Sequence, residues 1–139
     1  MNLKKQSEDL KYVTAIEPKN SEAATINGND INKKGFRSAS FCLGVGIPEG
    51  TPTDYTVAWK IQEKELSGDQ YADVSGLTGE ITGASEAYQA EIIDVNLEDR
   101  KTYVRVVAVV TFTDGTTPKI PIACVAVLGN PYTTPVTQD

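Results

Sequence analysis

Nineteen acidic side chains and two cysteines are most of the chemistry this sequence offers, because it contains no histidine. Four of the acids, Asp69, Asp73, Glu80 and Glu86, fall in one glycine-rich stretch, KELSGDQYADVSGLTGEITGASEA. A suitably spaced carboxylate pair can cleave a glycosidic bond, one acid protonating the leaving oxygen while the other acts as base or nucleophile. Spaced acids in a polar loop are far more often a solvated surface, since charged side chains stay exposed. The missing histidine also removes the commonest general base near neutral pH, the commonest metal ligand and every histidine-based triad. The expectation is that the chain has no catalytic residue and is not an enzyme.

Cys42 and Cys124 stand far apart in the sequence, without the close pairing of zinc or redox motifs. Both fall in expected strands, where a free cysteine behaves as a small buried apolar residue; a bridge between strands is the alternative. The glycine runs GVGIPEG and GLTGEITG match neither a Walker loop nor a dinucleotide fingerprint. SGDQYAD and FTDG supply oxygen ligands but not the spacing of a calcium loop. No cofactor and no metal are expected. The net charge is -6, and the 13 basic residues are scattered, with no run longer than two such as Lys4-Lys5 and Lys33-Lys34, so no basic stripe faces a phosphate backbone. No apolar run approaches the roughly 20 residues that span a bilayer. The first residues, MNLKKQSEDLKYV, lack the apolar core of a secretory signal. These features point to a soluble chain made in the cytoplasm, with neither nucleic acid nor membrane as a partner.

Whatever such a chain does must come from its scaffold. At 139 residues it is one domain's worth, able to bury a core without disulfide or metal staples. Residues 1–35 are rich in Lys, Asn, Asp, Glu and Ser, with an Asn27-Gly28 pair that favours a turn, and read as an extended N-terminal arm. From Phe36 the pattern alternates with period two. Ala39, Phe41, Leu43 and Val45 share one face, and then Val57, Trp59 and Ile61. Trp59 is the expected centre of the core, with a nearby acceptor for its indole N–H. Short strands are expected at 71–74 and 80–82, and YQAEIIDVNL alternates with apolar residues on both faces.

TYVRVVAVVTF is β-branched at most positions and reads as a central strand. The linker TDGTTP is short enough to form a hairpin with KIPIACVAVLG, where Ile120, Ile122, Cys124, Ala126 and Leu128 share a face. Residues 130–139 read as a C-terminal tail. Leu97 and Tyr103, at the entry to the central strand, have the spacing of a tyrosine corner, a structural feature of immunoglobulin-like sandwiches. Together these signals predict an all-β, immunoglobulin-like β-sandwich or small barrel over residues 36–129, with Trp59, Leu97 and Tyr103 as structural residues.

The order of features resembles the auxiliary, decoration or cement proteins of tailed-bacteriophage heads. The matching pieces are NGNDINKKGFRSASFCLGVG, VAWKIQEKELSGDQYADVSG, DRKTYVRVVAV and VAVLGNPYTTP. The resemblance implies a sandwich that binds the outside of an assembled shell in the virion, with the major capsid protein as partner and self-association into a dimer or trimer. On that reading Tyr12, Val13, Ile16, Ile26, Ile31, Tyr132 and Val136 carry partner contacts, being apolar groups in segments without a core of their own. The alternative for them is that some add an edge strand to the same domain. Other readings are a tail-tube, tail-terminator or connector subunit, or an immunoglobulin-like adhesion or carbohydrate-binding module.

Overall fold

The computed structural model describes residues 5–83 and 88–138. After a short helical turn, α1 (Gln6–Asp9), come β1 (Lys11–Ser21), β2 (Ala24–Asn27), β3 (Ile31–Asn32), β4 (Phe36–Val45), β5 (Asp54–Lys64), β6 (Ala72–Gly83) and β7 (Gln89–Asn96). A 3-10 turn at Leu97–Asp99 leads to β8 (Tyr103–Thr113) and β9 (Ile120–Pro131). One sheet has the order β1-β9-β4-β7, the other β2-β8-β5-β6, with β3 also on β8. The pairing is antiparallel throughout these ladders. The all-β sandwich is thus as expected. Its strand order refines the immunoglobulin-like expectation to that of a jelly roll, the two-sheet arrangement of two Greek keys.

Alternation places the core. Ala39, Phe41, Leu43 and Val45 of β4, Tyr55, Val57, Trp59 and Ile61 of β5, and Cys124, Ala126 and Leu128 of β9 all point between the sheets and are buried. Trp59 is 2% exposed, and its Nε1–H donates to Glu91 Oε1 at 2.6 Å. Because Trp59 lies on β5 and Glu91 on β7, this bond ties one sheet to the other. Gly79, the register partner of Trp59 on β6, leaves the room: a β-carbon there would fall on the Glu91 carboxylate and 2.5 Å from Trp59 Nε1. Beside it, Gln89 donates to the Tyr55 hydroxyl at 2.8 Å.

Residues 1–35 are not a separate arm over their described part. β1 pairs with β9 from Lys11↔Leu128 to Ser21↔Ile120, while β2 and β3 pair with β8. The cause is burial: Ala15, Ile16, Ile26 and Ile31 are each no more than 8% exposed and fill the seam between the sheets on that side. Gly28 sits where this segment passes between the sheets, donating its N–H to Val106 O, and a β-carbon there would stand 2.6 Å from Ala15 O. The tail is likewise docked in part. Val136 N–H donates to Glu8 O, and the Gln138 side chain accepts from Tyr12 N–H and donates to the Ser7 and Leu10 carbonyls.

Two further expectations change. TDGTTP is not a hairpin, since β8 and β9 belong to different sheets; its loop instead pairs with residues 49–53 through Thr116 N–H to Gly50 O and the Glu49↔Lys119 bridge. The short strands at 71–74 and 80–82 are one strand, β6, with a bulge opposite Lys60 and Gln62. Tyr103 is half-buried with its ring 5.8 Å from the Lys64 ammonium, whereas Leu97, the first residue of the 3-10 turn, is fully buried.

Candidate functional site

Two of the residues singled out for chemistry, Asp69 and Asp73, do structural work. Asp69 accepts from Leu66 N–H at 3.0 Å and closes the turn between β5 and β6. Asp73, on β6, accepts from Gln62 Nε2 at 2.8 Å and pairs with Lys60 Nζ at 3.0 Å. These two partners, Gln62 first, hold its carboxyl below the usual carboxylate range. Glu80 is exposed on the same strand, and Glu86 lies outside the described residues. Asp114 accepts from Thr53 Oγ1 at 2.8 Å in the loop at the other end. Among the described residues no three Cys, Asp or Glu side chains are grouped to hold a metal ion. No helix of the described residues is long and apolar enough to cross a membrane.

The cysteines sit on adjacent strands in neighbouring register, Leu43↔Cys124 and Cys42↔Val125. Alternation therefore sends them to opposite faces of one sheet, which excludes a bridge between them within the chain. Cys124 faces the core, and burial, with the Cys42 thiol adding to it, pushes its thiol up to about 12. Cys42 is half-buried and faces outward.

The partner-contact residues separate into two groups. Ile16, Ile26 and Ile31 are core residues and Val13 packs against the core, so none of these four presents a free surface. Tyr12 is 47% exposed on β1, Tyr132 lies exposed under the Arg37 guanidinium at 4.0 Å, and Val136 is half-buried where the tail meets Glu8.

What the strands bring together instead is the outer face of β1-β9-β4-β7. Register sets a row Thr14, Val125, Cys42, Ile92 across all four strands. Thr14 pairs with Val125, Val125 with Cys42, and Cys42 with Ile92. On one side lies the row Tyr12, Val127, Ser40, Asp94, and on the other Ala123, Gly44, Ala90. Ile92 is 61% exposed and Val125 44%. Asp94, which accepts from Ser40 Oγ at 2.5 Å, is the one formal charge among the described residues of these rows. Beyond Ala123 the face dips into an apolar recess of about 480 Å³ lined by Pro18, Lys19, Gly44, Gly46, Pro121 and Ala123, with the exposed Tyr88 on its rim. Reading the sequence missed this face because valine, cysteine and isoleucine on the far side of an amphipathic strand look like extra core. The signal that could have found it is YQAEIIDVNL, apolar on both faces.

The outer face of β2-β8-β5-β6 is chemically different. Arg105 Nε donates to Gln62 Oε1 at 2.9 Å, continuing the Gln62-Asp73-Lys60 network. The Arg105 guanidinium lies 4.1 Å from the Tyr71 ring centre, and Lys64 Nζ lies 4.6 Å from it. Tyr71 donates its hydroxyl to Asp30 Oδ1 at 2.7 Å. Burial, then the bond to Asp30 and its charge, raises the Tyr71 phenol well above its ordinary value. Further along, Ala58, Lys60, Thr78, Glu80, Val107 and Val109 line a shallow recess of about 510 Å³.

No family model matches the sequence, and no curated relative matches it. Among solved structures the chain is similar to one from infectious bursal disease virus, Gx strain, at 12% identity and a TM-score of 0.57, over 91% of this chain and 34% of that one. It is similar also to a chain from the VP2 subviral particle of infectious bursal disease virus, at 12% identity and a TM-score of 0.54, over 91% of this chain and 33% of that one. The chain thus spans about a third of the length of these two structures. At that identity the likeness is one of fold.

Proposed function

We propose that this chain is a bacteriophage virion structural protein, a decoration or cement subunit that binds the outer surface of the head through the major capsid protein and stabilises the capsomer lattice. The observation that carries this reading is an asymmetry of commitment. Asp69, Asp73 and Asp114 are engaged in turns and sheet bonds, while one sheet face is largely apolar, with Ile92 and Val125 exposed on it and no described residue packed over them. A chain of this kind acts by being covered by protein, not by turning over a substrate. The sequence resemblance supplies the virion context, and jelly rolls are a recurrent architecture of capsid and lectin domains.

The physical mechanism is multivalency. A capsid lattice repeats one surface many times, so a subunit that presents two or more copies of a modest contact gains effective concentration when it bridges adjacent sites. The net charge of -6 keeps unbound copies soluble and apart. With residues 11–32 built into the sandwich, head contacts come from the body and its loops instead of a draped arm.

Mixing the purified chain with expanded, undecorated heads and pelleting them tests the proposal. Saturable co-sedimentation at a fixed ratio to capsid protein is expected, with the chain on the outside in an image reconstruction. Failure to bind heads alongside selective binding on a glycan array would favour the carbohydrate-binding reading. The recess by Val107 and Val109 would be its site, although Trp59, the aromatic residue there, faces the core.

A further inference from the structure

We infer that the outer face of β1-β9-β4-β7 is a self-association surface, and that its occupant is a second copy of this chain stacked face to face. The pairing stands whether or not the chain binds heads.

Three features of the face favour a second copy. Charge comes first: two bodies of net charge -6 repel, and they can approach most closely through a face whose rows carry Asp94 alone, with the cationic Lys19 in the recess beside them. The opposite sheet would bring Asp73 and Glu80 of the two copies together. The second feature is shape. A closed pair related by a two-fold axis needs a surface complementary to itself. Tyr12 stands up on one side of the row Thr14, Val125, Cys42, Ile92, and the recess by Gly44, Gly46 and Pro121 lies on the other side. An axis along that central row carries Tyr12 of each copy towards the recess of the other, and sets Cys42 against Cys42.

Area is the third. Strands about 4.8 Å apart, with outward residues about 6.7 Å apart along each, give these rows roughly 400 Å² of sheet plane and on the order of 600 Å² of accessible surface. Two such faces bury about 1,200 Å², the lower bound of a specific, stable interface. Small residues at Gly44, Ala90 and Ala123 let the backbones approach, and the larger Val125 and Ile92 supply the apolar contact.

The test is sedimentation equilibrium of the full chain over a wide concentration range, with Val125→Glu and Ile92→Lys as face variants and Val109→Glu as the control on the other sheet. The wild type is expected to reach twice the 15.0 kDa chain mass. Each face variant is expected to weaken association at least about a hundredfold, because a charge would be buried unpaired. The control is expected to associate as the wild type does. Thermal melts check folding, and Ile92→Lys serves if Val125→Glu does not fold, since Ile92 is 61% exposed. A short bis-maleimide should join two wild-type chains through Cys42. A wild type that stays monomeric, a pair that survives both face variants, or a pair broken by Val109→Glu would overturn the inference. Monomers that bind heads until Val125 is changed would give the face to the capsid protein instead. A pair that ignores heads would leave the inference standing and overturn the decoration reading.

Discussion

The two outer faces of this sandwich belong to sheets of similar size made from one alternating pattern, yet they end in opposite states. On β2-β8-β5-β6 the outward side chains are engaged with one another: Lys60, Gln62, Asp73 and Arg105 are linked in series, and Lys64 is buried beneath Tyr71 beside Asp30. On β1-β9-β4-β7 the outward positions are mostly valine, isoleucine, alanine, glycine and cysteine, with Tyr12, Thr14 and the Ser40-Asp94 pair as the polar groups of the three rows. An antiparallel sheet can face water on one side when that side is polar. The first face meets that condition over its Lys60-Gln62-Asp73-Arg105 network, with Val109 as an exposed apolar exception, and the second meets it at few positions, which is the ground for proposing that another molecule covers the second.

Trp59→Ala should have the largest effect, because it removes what locks the two sheets together. Losing the ring and orphaning Glu91 should cost about 3–5 kcal/mol of stability. Chemical denaturation would measure it, and both faces should lose definition together. Gly79→Ala tests the same junction by crowding the Glu91 carboxylate, and should destabilise less than Trp59→Ala does.

Lys64→Ala strikes one face alone. It leaves Asp30, the Ser67 carbonyl and the Tyr71 ring without their shared cation, at a cost of about 1–3 kcal/mol. The comparison is sharpened if this variant melts earlier but associates as the wild type does.

Alkaline pH probes the core beneath the apolar face. The folded thiol of Cys124 is raised to about 12 from an ordinary 9.0, so between these values the unfolded chain gives up its proton first. Its contribution to stability is whole below pH 9 and declines as pH rises towards 12. Cys124→Ala should flatten that part of the stability profile relative to wild type. The smallest effect belongs to Asp73. Its depressed carboxyl contributes stability above the ordinary carboxylate range that is lost as pH falls through the folded value. Asp73→Asn should remove only a slight acid dependence, since an exposed pair is well screened.

Much of the core was legible in the sequence, because β4, β5 and β9 alternate without interruption and Ala39, Phe41, Trp59 and Leu128 fall where period two puts them. β1 was not legible. Its ladder with β9 shifts register between Thr14 and Ile16 and again between Ile16 and Lys19, so inward positions do not keep a fixed period. Its partner also lies at the far end of the chain, a pairing that no local window contains. Asn27-Gly28 read as a turn signal, but what Gly28 provides is clearance between Ala15 and Val106. The apolar outer face was hidden for a related reason. Residues such as Val125 and Ile92 carry no mark of which side they occupy until the register of β4 with β7 and β9 is known.

Cys42 reports on that face directly, since it lies in its central row while Cys124 is sealed in the core. The deciding measurement is the rate at which a small maleimide alkylates Cys42 as the chain is concentrated from the monomeric to the associated range. Covering of the face predicts a slowing of at least about tenfold that Val125→Glu abolishes, in line with exclusion of solvent from an interface core. An unchanged rate in a chain that has demonstrably associated would contradict it.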